Sequence, residues 1–198
     1  METLIKFSRI VDRISERLGW VSMMIVLLTL VVGFYNVVAR YVGRFIGVQL
    51  SSNFFIELQW YLYSLVFLLG FAYILKHEIN VRVDFIYANW PPKKKAMLNF
   101  LGHIFFLIPF TILGILVTIN PVLRSWGRLP GGGWTSWEVS PDPGGLPRAP
   151  LKTMIIVAFV LLLLQTISEL IKLWLVLKGK EEYLTLDKRD PEIPLRVE

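Results

Sequence analysis

The sequence predicts an all-α integral membrane protein: four transmembrane helices, an N-terminal amphipathic helix at the membrane surface, and both termini in the cytoplasm. Three observations lead there. Of 198 residues, 55% are apolar and only 18% charged, and the mean hydropathy is +0.57, a balance foreign to an ordinary soluble domain. The apolar residues collect in four runs, each longer than the ~20 residues a helix needs to cross a hydrocarbon core of roughly 30 Å. The basic residues are shared unevenly between the flanks of those runs. There are no cysteines, so disulfides, thiolate metal sites and redox dithiols are excluded, and the connecting segments are too short for a separate soluble domain.

Residues 1–17 carry Leu4, Phe7, Ile10, Val11 and Ile14 at helical spacing, a stripe that Leu18 continues, with Lys6, Arg9, Arg13 and Arg17 on the other face. That pattern suits a helix lying on anionic phospholipid. A cleaved signal peptide does not fit, because the apolar run that follows is too long and no small-x-small site ends it. The first span is 18–39, free of charge, with Trp20 placed where an indole anchors at the headgroups. The outward loop 40–53 leads to the second span, 54–75, which holds Glu57 and the aromatic residues Trp60, Tyr61, Tyr63 and Tyr73. The loop 76–95 follows, with Trp90 as a second anchor. The third span, 96–123, is longer than a bilayer requires, and Pro109 predicts a kink or tilt that absorbs the excess. The segment 124–152 is rich in Gly and Pro and holds Trp126, Trp134 and Trp137 beside Glu138. Three tryptophans in one outward loop predict an ordered segment set against the membrane or a partner. The fourth span, 153–177, contains the least polar stretch and the anchor Trp174; 178–198 is a polar tail.

Orientation follows from the basic residues, which are depleted in translocated loops. Fifteen of the 21 lie in 1–17, 76–95 and from Lys172 onward; the other six are Arg40, Arg44, Arg124, Arg128, Arg148 and Lys152. The first set is therefore cytoplasmic and the second faces outward. The net charge of +6 is a consequence of topology, and no nucleic-acid partner is needed to explain it.

Chemistry in the spans would need ionisable groups, and there are few: Glu57, His103 and Glu169. Three readings of Glu57 stay open: an ion pair with Arg40 or Arg44 across the short first loop, a contact to a partner subunit, or a transport-site carboxylate. Glu169 shares a helix face with Lys172, which suggests a local ion pair. His103 suggests an interhelical hydrogen bond, and bis-histidine haem would need a second histidine at matching depth. No HExxH, P-loop, GxSxG or zinc spacing occurs, so no enzyme is indicated.

The run Asn36-Val37-Val38-Ala39-Arg40-Tyr41-Val42-Gly43, the helix Glu57–Gly70 with its ELQWYLYSLVFLLG sequence, and Ile79-Asn80-Val81-Arg82-Val83-Asp84 resemble the small membrane subunit, DctQ, of tripartite ATP-independent periplasmic (TRAP) transporters. Asn80 stands where many members carry His. The resemblance implies a non-catalytic scaffold in the bacterial inner membrane. It implies partnership with a large multi-helix membrane subunit, which would carry the sodium and substrate sites, and with a periplasmic substrate-binding protein; organic acids or similar small solutes would be imported. It implies no cofactor in this chain. Arg40, Glu57, Trp60, Tyr61, Arg82 and Asp84 are then expected to make structural or partner-subunit contacts, and Trp134, Trp137 and Glu138 to make contacts of the outward loop. Two readings of other classes remain: an oligomeric carrier or channel acting alone through Glu57, and a quinone or haem anchor.

Overall fold

The computed structural model describes residues 2–79 and 89–179, and within them the chain is helical apart from turns and loops. Four helices are long and apolar enough to cross a membrane: α1 (Glu2–Ile46), α2 (Asn53–Lys76), α3 (Pro92–Ser125) and α4 (Arg148–Leu177). The surface segment 1–17 and the first span, expected as two elements, form one helix here. Nothing at Leu18 breaks it: no proline intervenes, and Gly19 is helical, with the Tyr73 ring packed directly over it. At ~1.5 Å per residue the 45 residues of α1 extend roughly 68 Å, over twice the thickness of a hydrocarbon core. The helix ends at Gly47, whose φ of +70° favours glycine.

Pro92 starts α3, where a missing N–H and a fixed φ suit the first turn. Pro109 cannot donate a hydrogen bond, and its ring crowds the carbonyl of the preceding turn. The helix responds with one wide turn, His103–Leu107, in which the Ile108 N–H reaches back to the His103 carbonyl. Beyond this π turn α3 continues through Pro121 to Ser125.

Packing centres on α4, which touches each of the other helices; α1 and α2 also pack on one another, while α3 is attached mainly to α4. The face that α1 buries holds Ser8, Val11, Ser15, Ser22, Asn36, Ala39 and Gly43. Their spacing is that of a heptad seam, but the residues are small or polar where a soluble coiled coil would place leucines. Of the stripe expected to seek an apolar surface, Val11 is buried in this seam, while Leu4, Phe7, Ile10 and Ile14 point away from the bundle. A bilayer explains the inversion: lipid covers leucine as well as another helix does, so close backbone approach and hydrogen bonds hold helices together. Gly33 under the Gln59 amide and Gly114 under the Phe159 ring are the close approaches elsewhere; a Cβ at Gly114 would lie 2.6 Å from Phe159 Cε1.

Candidate functional site

Two polar clusters brace the bundle, one at each end. The first joins α1 to α4. Gln165, fully buried, accepts a hydrogen bond from Ser15 Oγ (2.7 Å) and donates through Nε2 to Asp12 Oδ1 and Glu169 Oε1 (2.9 Å each). Ser168 donates to Asp12 (2.9 Å), and its Oγ lies 2.7 Å from Ser8 Oγ. Lys172 completes the group, 2.8 Å from Asp12 and 3.0 Å from Glu169. The expected Glu169–Lys172 pair is therefore present, within a wider network that the sequence did not reveal. A second tie at the same end joins α1 to α2, where Glu16 accepts from Lys76 Nζ (2.7 Å) and lies 2.9 Å from His77 Nε2.

The second cluster is built around Glu57 in the first turns of α2. Its carboxylate accepts hydrogen bonds from the Ser140 hydroxyl and the Leu146 N–H, and Arg148 is the cation beside it. The expected pair with Arg40 is not formed. Ser140 and the Leu146 backbone reach the carboxylate because the loop after α3 folds back over α2, and Arg40 lies exposed on α1. Tyr61 adds a bond from its hydroxyl to the Leu146 carbonyl (3.3 Å), and Asn53 one to the Pro143 carbonyl (3.4 Å). Gly145 permits the approach, since a Cβ there would come 2.9 Å from Glu57 Oε1.

The loop between α3 and α4 is ordered by its own backbone: Thr135 N–H bonds to Gly127, Glu138 N–H to Ser125, and Arg148 N–H to Glu138, at 2.8 to 3.0 Å. Glu138 closes its base, accepting from Ser125 Oγ (2.7 Å) and Lys152 Nζ (2.5 Å). The Lys152 ammonium, and after it the Ser125 hydroxyl, hold the Glu138 carboxyl below the usual carboxylate range. Trp126 donates to Thr153 Oγ1 (2.8 Å) and meets Trp137 edge to face at 5.8 Å. Trp134 and Trp137 remain exposed on the loop. Trp60 is also exposed, with the Arg148 guanidinium 6.0 Å above its ring. Of the expected anchors, Trp20 is exposed on α1, Trp90 precedes α3, and Trp174 is half-buried under the Lys178 ammonium at 3.8 Å. Arg82, Asp84 and Asn80 lie outside the described residues. Among the described residues, no group of three His, Cys, Asp or Glu side chains is placed to hold a metal.

What the clusters can do chemically is hold helices and a loop in place, with every oxygen of Glu57 committed to the chain's own donors. A sequence profile for tripartite ATP-independent periplasmic transporters, DctQ component, matches residues 29–176, about three quarters of the chain's length. The chain belongs to the DctQ family. It is accordingly a multi-pass membrane component of a TRAP transporter, and the matched region runs from the middle of α1 to the end of α4, taking in the Glu57 cluster and the loop it secures. Neither the curated proteins nor the solved structures gave a match. Sequence reasoning missed Ser140, Asp12, Ser15, Gln165 and Ser168; the seven-residue recurrence of Ser8, Ser15, Ser22, Thr29, Asn36 and Gly43 was the signal for Ser15.

Proposed function

We propose that this DctQ chain is the small, non-catalytic scaffold of a sodium-coupled TRAP importer in the bacterial inner membrane, with its termini cytoplasmic. Its large partner subunit carries the sodium and solute sites, an organic acid or similar small molecule is the cargo, and a periplasmic binding protein delivers it. The observation that carries this reading is the commitment of the intramembrane carboxylates: Glu57 is tied to the α3–α4 loop and Glu169 to Gln165 and Lys172. A subunit whose polar groups brace its own helices, and whose aliphatic surface is left outward, supports a moving partner while carrying no cargo itself. The same commitment weighs against a carrier acting alone through Glu57.

The partner contacts we assign are Trp60, Trp134 and Trp137, exposed on one end, with Arg82 and Asp84 on the cytoplasmic side; phospholipid covers the remaining apolar surface. The test is purification of the tagged chain in mild detergent, followed by reconstitution. A large membrane protein recovered in fixed stoichiometry, with sodium-dependent uptake only when that protein and the binding protein are present, is the expected result. Solute flux from this chain alone, abolished by Glu57→Gln, would overturn the scaffold reading.

A further inference from the structure

Between the end of α1 and the start of α2 lies an open hollow of about 470 Å³, in whose lining Glu57 takes no part. Arg40 and Arg44 line it from α1, and Gln49, Ser51, Ser52 and Asn53 from the turn and the first residues of α2. The two arginines are one helical turn apart on one face, where like charges repel. No Asp or Glu is among the lining residues, and neither arginine forms an ion pair within the described residues. The carboxylate nearest in sequence, Glu57, is engaged by Ser140 and Leu146. Two guanidinium groups therefore share a concave site with no counter-charge from the described residues.

Ser51 and Asn53 already donate, to Asn36 Oδ1 (2.7 Å) and the Pro143 carbonyl (3.4 Å), but the start of α2 adds charge of the same sign as the arginines. Ser52 takes the N-cap position of the 24-residue helix α2 in extended conformation and makes no side-chain capping bond, and the first turn holds no acidic residue. The partial positive charge of that helix end is left to the hollow. Next to the arginines, Phe45 and Ile46 are 88% and 58% exposed, an apolar rim beside a cationic cup.

We propose that this hollow is a phosphate site, which takes the tetrahedral anion of a phospholipid headgroup or of free phosphate between Arg40 and Arg44. Guanidinium forks match phosphate oxygens in pairs, and the volume suits a headgroup. The site is independent of the scaffold reading, since it requires only this chain.

The test uses the full chain, delipidated in detergent, with two probes. Dioleoylphosphatidylglycerol is titrated and followed by native mass spectrometry, with dioleoylglycerol as the phosphate-free control; inorganic phosphate is titrated by calorimetry. We expect a single site whose affinity falls at least tenfold in Arg40→Gln/Arg44→Gln. Gln49→Glu, in the loop and outside both helices, should weaken binding severalfold by supplying an internal carboxylate. Loss confined to the lipid titration assigns the phosphate to a phospholipid, and loss in the inorganic titration assigns it to a soluble anion. Unchanged binding of both probes in both variants would overturn the proposal. So would unchanged binding together with release of a co-purifying membrane protein, which would give the arginines to a carboxylate of that protein.

Discussion

Gln165→Leu isolates the α1–α4 network from the rest of the bundle. Leucine keeps the volume, so little cavity is left, while three hydrogen bonds disappear: one from Ser15 and two donated to Asp12 and Glu169. Asp12 retains Ser168 and Lys172 as donors, and Ser15 can turn back to its own helix. Interhelical hydrogen bonds in membrane proteins average ~0.6 kcal/mol, so the two that cross to α1 give about 1.2 kcal/mol, and the third, to Glu169, stays within α4. The assay is unfolding in mixed micelles of dodecyl sulfate and a neutral detergent, followed by circular dichroism. A double-mutant cycle with Ser15→Ala should return a coupling of about 0.6 kcal/mol for that one bond. Thr118→Ala is the control, because Thr118 bonds only within its own helix, to Gly114 at 2.6 Å, and should change stability by less than about 0.5 kcal/mol. A loss below about 0.5 kcal/mol in Gln165→Leu, or a coupling within about 0.3 kcal/mol of zero, would refute the claim that this seam joins the helices.

Three further outcomes are expected. Gly114→Leu should cost about 1–3 kcal/mol in the same titration by pushing on Phe159, and Phe159→Ala should restore part of it; no loss, or no rescue, would remove the close approach as the α3 attachment. Glu57→Gln should make 126–147 sensitive to protease while leaving helix content unchanged, since Leu146 N–H and Ser140 lose a charged acceptor; a loop as resistant as the parent's would show that other contacts hold it. Because the Glu138 carboxyl titrates below its ordinary value in the folded chain, its contribution to loop order is complete above about pH 4.5 and is lost as the pH falls through the lowered value. Tryptophan emission from the loop should therefore be flat from neutrality to about pH 4.5 and shift only in stronger acid. In Lys152→Ala the shift should move to higher pH, and an unmoved transition would assign the order to other groups.

The four helices were legible because hydropathy and the distribution of lysine and arginine report on lipid directly, without knowledge of what touches what. The faces were harder. Leu4, Phe7, Ile10 and Ile14 read as a contact stripe under the logic of soluble helices, yet the bundle buries Ser8, Ser15 and Asn36, because in lipid small and polar residues make the seam. Glu57 was recognised as a residue in need of a partner, and Arg40 was the natural cation by sequence distance. The actual donors are 83 and 89 residues away, one of them a backbone N–H that carries no signature in side-chain identity. Glu169 and Lys172 were legible since both lie on one turn of one helix; Asp12 and Gln165, which complete their network, are 153 residues apart.

The position of α4 has a consequence for how the chain is made. Of the four described helices it is the last to leave the ribosome, yet it supplies donors for Asp12, the acceptor for Ser15 and the main support of α3. Until it inserts, α1 and α2 can pack on one another, but Ser8, Asp12 and Ser15 lack their α4 partners and α3 is adrift. Assembly of this bundle therefore waits for α4. A chain cut short before Arg148 can span the membrane three times and still present an unpartnered Asp12, a local mark by which an unfinished copy differs from a finished one.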